Sequence, residues 1–226
     1  MRSIVAGCML ALLIGLGWHL PASAEEAQDP GLIVDKARIV LKEMMQSEDN
    51  SIPKDLIRQC SGLAIIPGML KGGFFVGGSY GQGVVLKHQR GKWTGPAFLD
   101  IAAGSFGVQI GVESVDLILV AVGPRALDSF MKSRFKLGGD VAVAAGPIGA
   151  QATAATDILF KGGIFSYSRS KGLFAGVSLE GALIIPRGER NQAYYKTTGD
   201  TAAILAGDVQ PQASGQELIT ALTPYR

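Results

Sequence analysis

Glycine is spread through a long β-patterned block of this chain, Gly62 to Tyr195, which holds most of the 31 glycines. There it is interleaved with Val, Ile, Phe and Ala, as in GGFFVGGSYGQGVVL (72–86) and KGLFAGVSLEGALII (171–185). Because glycine weakens an ordinary strand, its repeated use indicates bends, bulges or close backbone contacts. Tight links between the strand-like segments favour antiparallel pairing. The block therefore predicts a curved, largely antiparallel, glycine-rich sheet that is either barrel-like or a sandwich.

Helical patterns flank this block. Residues 31–46 carry apolar side chains at helical spacing, and SIPKDLIRQC (51–60) predicts a short second helix. We expect the first helix to pack on the sheet, with contact to a membrane surface as the alternative. Short helical pieces follow Pro186, in ERNQAYYKTTG, TAAILAG and GQELITAL. The predicted fold class is α+β, mainly β, with N-terminal helices and short C-terminal helices.

Three segments inside the block have more specific patterns. VDLILVAV (115–122) is a continuous apolar run, which predicts a central strand covered on both faces. HQRGKW (88–93) predicts a hairpin with Gly91 in its turn. PRALDSFMK (124–132) begins with proline and predicts a short helix.

The first 24 residues have the pattern of a secretory signal. A short basic start precedes an apolar run, Ile4 to Trp18, that is too short to span a bilayer comfortably, and Ala22 and Ala24 supply the small residues of a cleavage site. We expect cleavage after Ala24 and a periplasmic or secreted protein, with an uncleaved anchor as the alternative. Lipidation of Cys8, in VAGC, would require an upstream start. The predicted organisation is signal peptide 1–24, mobile leader 25–30, one domain 31–208 and C-terminal tail 209–226.

Motifs for common enzyme classes do not fit this chain. RGKW lacks the Ser or Thr of a phosphate loop, and GGSYGQG leads into a strand rather than a helix. GSFG and GVSLEG are not the nucleophile elbow of a hydrolase. A net charge of +2 does not indicate nucleic-acid binding. We therefore predict no catalytic residue, no metal and no cofactor.

Two potential nucleophile–base residues have simpler interpretations. Cys60 is the only cysteine after cleavage, and we expect a small buried side chain at a helix end rather than a nucleophile or an intermolecular bridge. His88 is expected to be a solvent-exposed hairpin residue. Acidic side chains in the block are expected to face solvent or to pair with Arg and Lys, with acid–base catalysis or cation binding as the alternative; they are Asp100, Glu113, Asp116, Asp140, Asp157 and Glu180.

Basic residues recur at the ends of the predicted strands, with aromatic residues near many of them. Such a rim, with its aromatics exposed, would suit anionic lipid headgroups, whereas ordinary protection of strand edges is the alternative. The candidate lipid-binding residues are Lys71, Lys87, Arg90, Lys92, Trp93, Lys161, Arg169, Lys171, Arg187 and Arg190.

The ordered motifs of the block resemble the SYLF lipid-binding domain family, which includes a yeast actin-binding branch. The resemblance covers roughly residues 27–207. The stretches that carry it are CSGLAIIPGMLKGGFFVGGSYGQGVVL, GKWTGPAFLDIAAGSFGVQIGVESVDLILV, FKLGGDVAVAAGPIGAQA, FSYSRSKGLFAGVSLEGALIIP and NQAYYK.

This resemblance implies binding to membrane phospholipid, with phosphoinositides preferred by eukaryotic members, and no enzyme activity. Family lipid recognition is associated with an N-terminal amphipathic region and a basic surface. Residues 32–45 occupy that place here, but their mixed charge argues against a strict phosphoinositide preference. We hypothesise a membrane-peripheral, non-catalytic phospholipid-binding protein of the bacterial cell envelope. The alternative is a structural or adaptor protein with a protein partner; actin is not expected, since the signal would take the chain out of a cytoplasm.

Overall fold

The computed structural model describes residues 29–46, 52–147, 163–170, 173–174, 179–197 and 199–225. Its architecture is α+β and mainly β, with a curled, open half-barrel sheet, which confirms the predicted fold class. The helices are α1 (Pro30–Gln46), α2 (Lys54–Gln59), α3 (Pro124–Ser129), α4 (Gly188–Tyr195), α5 (Thr201–Ala206) and α6 (Ala213–Leu222). The strands are β1 (Gly62–Gln89), β2 (Lys92–Val122), β3 (Phe135–Lys136), β4 (Val143–Ala145), β5 (Gly163–Ser170), β6 (Leu173–Phe174) and β7 (Leu183–Pro186).

Strand β2 lies at the centre of the sheet. β1 pairs with it along one edge, while β7 pairs with residues 99–102 and β5 with residues 115–122 along the other. These pairings are antiparallel, and β4 is parallel to β5. The predicted central strand at 115–122 is confirmed, because it has partners on both edges and Leu117 to Ala121 are fully buried.

Strand β1 is 28 residues long and bends back over itself. Its register with β2 shifts at three places, between Ile66 and Met69, Gly73 and Phe75, and Val85 and Lys87. A Cβ on Gly83 would lie 2.3 Å from the carbonyl oxygen of Ile65 in the same strand. Only glycine permits this approach, so the glycine-rich pattern does encode a bend with close backbone contact.

Ser61 joins the two ends of the curled hairpin. Its backbone N–H donates to Ala121 O (2.8 Å), and its carbonyl accepts the backbone N–H of His88 (2.8 Å). The turn between β1 and β2 is thereby brought back against the end of α2. The predicted turn is confirmed, with Arg90 and Gly91 at φ 52° and 74°.

Helix α1 packs its apolar face into the core, as expected. Seven of its residues are buried, and α6 packs beside it through an Arg38–Glu217 ion pair of 3.4 Å. The short helices predicted at 124–132 and after Pro186 are also present. Among the described helices, none has the length and apolarity needed to cross a membrane.

Candidate functional site

The structure describes eight of the ten candidate lipid-binding residues, and Lys161 and Lys171 lie outside the described residues. These eight residues fall into two sets, according to whether or not the side chain forms an ion pair with an acidic residue. The paired set is Lys71, Arg169, Arg187 and Arg190. The other set lies at the turn between β1 and β2 and consists of Lys87, Arg90, Lys92 and Trp93.

Asp100 is a fully buried carboxylate on β2 that holds two of the candidate arginines. Arg187 Nε donates to its Oδ2 (2.5 Å), Arg190 Nη1 donates to its Oδ1 (2.6 Å), and the Tyr80 hydroxyl donates to Oδ2 (2.9 Å). Burial alone would lower the pKa of Arg187, but the hydrogen bond and charge of Asp100 raise it above its ordinary value. These arginines therefore neutralise a buried charge at the corner between β7 and α4.

Asp116 holds a third candidate arginine. Arg169 Nη2 donates to Asp116 Oδ2 (2.8 Å) and also to Glu43 of α1, while Asp116 Oδ1 accepts the backbone N–H of Gly68 (2.9 Å). The network ties α1 to β2 and β5. Lys71 Nζ likewise lies 3.9 Å from a carboxylate oxygen of Glu113. The expectation that acidic side chains pair with Arg and Lys is thus confirmed for these three acids.

Three cations at the β1–β2 turn form the basic turn, which we define as Lys87, Arg90 and Lys92. Arg90 and Lys92 are exposed and Lys87 is half-buried. None of the three forms an ion pair within the described part of the chain. No acidic residue lies between positions 87 and 92. The basic turn is therefore a local excess of positive charge that an anion can meet directly.

His88 and Trp93 form a stacked ring pair beneath the basic turn, with centroids 4.4 Å apart and planes 15° from parallel. His88 is only 9% exposed and Trp93 only 5%. The expectation of a solvent-exposed His88 was therefore wrong, as was the placement of Trp93 among exposed aromatics. The reason is that Ser61 draws the turn back against α2, where His88 Nδ1 lies 3.1 Å from the Cys60 carbonyl oxygen.

Cys60 is buried at the C-terminal end of α2, which confirms the structural interpretation. Its thiol donates to Ile57 O (3.1 Å), and burial raises the pKa of the thiol to about 12.

In a Cys8→Ser background we expect Cys60 to react with a thiol reagent at pH 8 at least about 100-fold more slowly in the folded than in the unfolded protein, since the thiolate is the reactive form. Reaction rates with and without guanidinium measure this, and equal rates would contradict it.

The NQAYYK motif has a structural role here. Asn191 Oδ1 accepts the backbone N–H of Phe98 (2.7 Å), and the Tyr195 hydroxyl donates to Pro96 O (2.8 Å). The Tyr194 hydroxyl accepts a backbone N–H from the first turn of α6 (2.9 Å). Burial raises the pKa of both tyrosines. These hydrogen bonds hold α4 against β2 and α6.

Two features were missed from the sequence. The first is a second exposed basic group around β3, comprising Lys132, Arg134 and Lys136. The second is the ring pair. A two-residue turn at Arg90 and Gly91 fixes His88 opposite Trp93, so the register of the hairpin was the signal that could have found it.

Comparisons with known proteins point to one family. The family model described as "Las17-binding protein actin regulator" (Ysc84) matches residues 102–225, more than half of the chain. LAS seventeen-binding protein 3 of Saccharomyces cerevisiae is 38% identical over 178 residues, which are 77% of this chain and 39% of that protein. The human SH3 domain-containing YSC84-like protein 1 is 34% identical over 197 residues, 84% of this chain and 57% of that protein. The chain thus spans less than two thirds of the length of these relatives.

Proposed function

This chain belongs to the Ysc84/SYLF family of non-enzymatic binding proteins, and on that premise we propose that it binds anionic phospholipid at a membrane surface without catalysis. The proposed location is the bacterial cell envelope, reached through the signal-like residues 1–24. The observation that carries the proposal is the basic turn, whose three cations have no acidic partner in the described residues. The relatives' names describe binding to Las17 and the presence of SH3 domains, and these properties are those of the relatives.

The basic turn suits a headgroup better than the paired arginines do. To bind a phosphate, Arg169, Arg187 and Arg190 would have to break their ion pairs with carboxylates. This would leave those carboxylates unpaired in buried or partly buried positions. Each free Lys or Arg near an anionic bilayer contributes about 1 kcal/mol, so three contribute about 3 kcal/mol. Such an energy supports reversible, salt-sensitive binding at the membrane surface.

Helix α1 contributes little to this binding through its apolar face. Ile33, Val34 and five further residues of that face are already buried in the core. Turning the face toward lipid would first expose it, at roughly 1.5–3 kcal/mol for each large side chain. Only Leu32 and Ile39, 46% and 49% exposed, are available on the outer side of α1.

Neutralising the basic turn tests the proposal. We expect the triple variant Lys87→Gln, Arg90→Asn and Lys92→Gln to bind phosphatidylglycerol-containing vesicles with an affinity about 100-fold lower, because three cations that contribute about 1 kcal/mol each are lost. Sedimentation with the vesicles measures the affinity. Asn suits the positive φ of position 90.

The matched control removes the same charge elsewhere, with Lys132→Gln, Arg134→Gln and Lys136→Gln. We expect a much smaller loss, and binding of the wild type should fall on adding salt. Equal losses in both triple variants would contradict the assignment to the basic turn. Failure of the wild type to bind either anionic or neutral vesicles would contradict phospholipid binding itself.

A second candidate function is docking of a protein partner. Leu70 and Val112 are 56% and 80% exposed and lie on the same face of the β1–β2 pair, since Val112 is opposite Gly72. Exposed apolar side chains of this kind occur at protein interfaces. This candidate would be favoured if cross-linking in cells captured one specific protein while the purified chain sedimented with no vesicle.

A further inference from the structure

The end of the β1–β2 hairpin has one buried face and one charged face. His88 and Trp93 lie directly opposite each other in the register, and both are buried. Because side chains alternate between the two faces of a strand pair, Lys87 and Lys92 both lie on the other face. Arg90 occupies the turn itself. Two of the three cations of the basic turn therefore extend from the same face of the hairpin.

The register also sets the separation of these two lysines. Lys87 is opposite Thr94, so Lys92 is its diagonal neighbour, and positions related in this way lie roughly 7–8 Å apart. Neither ammonium group forms an ion pair with a carboxylate in the described part of the chain. The hairpin therefore presents two uncompensated positive charges side by side.

Contacts on both faces hold this end of the hairpin in place. On the charged face, Thr94 Oγ1 donates to Leu205 O (2.6 Å). On the buried side, the backbone N–H of His88 donates to Ser61 O (2.8 Å), and the His88 ring stacks on Trp93. The backbone positions from which the two lysines extend are thus fixed before a ligand arrives, and preorganisation of this kind lowers the cost of binding. Such a site favours an anion whose two charges are already linked.

We propose that Lys87 and Lys92 together recognise an anionic lipid with two phosphates in one headgroup, each ammonium group contacting one phosphate. Cardiolipin, whose two phosphodiesters share one glycerol bridge, is the test lipid, and phosphatidylglycerol has a single phosphodiester. This inference rests on the proposed function and adds the class of headgroup to it. With phosphatidylglycerol a second lipid molecule has to reach the second lysine, whereas the linked phosphate of cardiolipin is present there at a high effective concentration.

Vesicles of equal charge separate this recognition from simple attraction. One set contains cardiolipin, and the other contains twice as many molecules of phosphatidylglycerol, so that both carry the same number of phosphate charges. We expect the full chain to bind the cardiolipin vesicles about 5-fold more tightly in sedimentation, the contribution of one further cation at the bilayer. Equal binding to the two sets would overturn the inference and leave the proposed function standing. Binding to neither set would remove the proposed function as well.

Single substitutions in the basic turn complete the test. Lys87→Gln breaks the lysine pair, so we expect it to lose the preference for cardiolipin. Lys92→Gln changes an exposed side chain with the same expected result, and it serves if Lys87→Gln does not fold. Arg90→Asn is the matched control: it removes one charge but leaves the pair, so it should weaken binding to both lipids about 5-fold and keep the preference. A folded lysine variant that keeps the preference, or an Arg90→Asn protein that loses it, would overturn the inference.

Discussion

Replacing Asp100 with Asn is expected to lower the free energy of unfolding by about 3–5 kcal/mol, the cost of breaking a buried ion pair from one side. The change leaves Arg187 and Arg190 without their shared counter-charge, and the Asp100 side chain is fully buried. Arg190, whose side chain is 11% exposed, then either stays largely desolvated without that counter-charge or pulls away and opens the corner between β7 and α4, while Arg187 keeps its contact with the exposed Glu189 (3.6 Å). Urea unfolding of the wild type and the variant measures the difference.

An exposed ion pair supplies the matched control. Asp55 pairs with Arg58 at 3.0 Å on α2, and both side chains are largely exposed, so Asp55→Asn is expected to cost less than about 1 kcal/mol. A loss at Asp100 as small as that at Asp55 would show that the buried cluster is not a structural anchor. Replacing Asp100, Arg187 and Arg190 together with apolar residues of similar size is expected to recover most of the lost stability.

Local sequence patterns predicted most of the elements because those patterns depend on neighbouring residues. The apolar run at 115–122 marks a strand that is buried on both faces, and helical spacing marks α1. The return of β1 over itself was beyond such patterns. It depends on the contact of Gly83 with Ile65 and on the double hydrogen bond of Ser61, which join residues far apart in the sequence.

The candidate site was predicted in part, for the same reason. Basic residues could be counted from the sequence, but their partners could not, because Asp100 lies 87 residues from Arg187. The structure therefore separates the free cations of the basic turn from arginines that serve the fold. The predictions for His88 and Trp93 differ most from the structure. Side chains at a hairpin turn are normally exposed to water, but here the curl of the sheet covers them.

The curl itself can be tested at one glycine. We expect Gly83→Ala to lower the free energy of unfolding by about 1–3 kcal/mol, because an added methyl group overpacks a filled site. Its Cβ would lie 2.3 Å from Ile65 O, 2.8 Å from Ile66 Cγ1 and 3.0 Å from Ile66 Cα. Two of these atoms belong to the backbone, so a side-chain rotation cannot relieve the clash and β1 must open.

Gly104 provides the matched control in the partner strand β2. A Cβ there would meet no heavy atom within 4 Å, so Gly104→Ala is expected to be neutral or to stabilise the protein by about 0.4–1 kcal/mol through the lower entropy of the unfolded chain. Urea unfolding of both variants compares the same chemical change at a close contact and in open space. If Gly83→Ala were as stable as Gly104→Ala, the close approach of β1 to itself would not be the reason for glycine at position 83. A selective loss at Gly83 would tie the glycine-rich pattern to the curl that buries His88 and Trp93 under the basic turn.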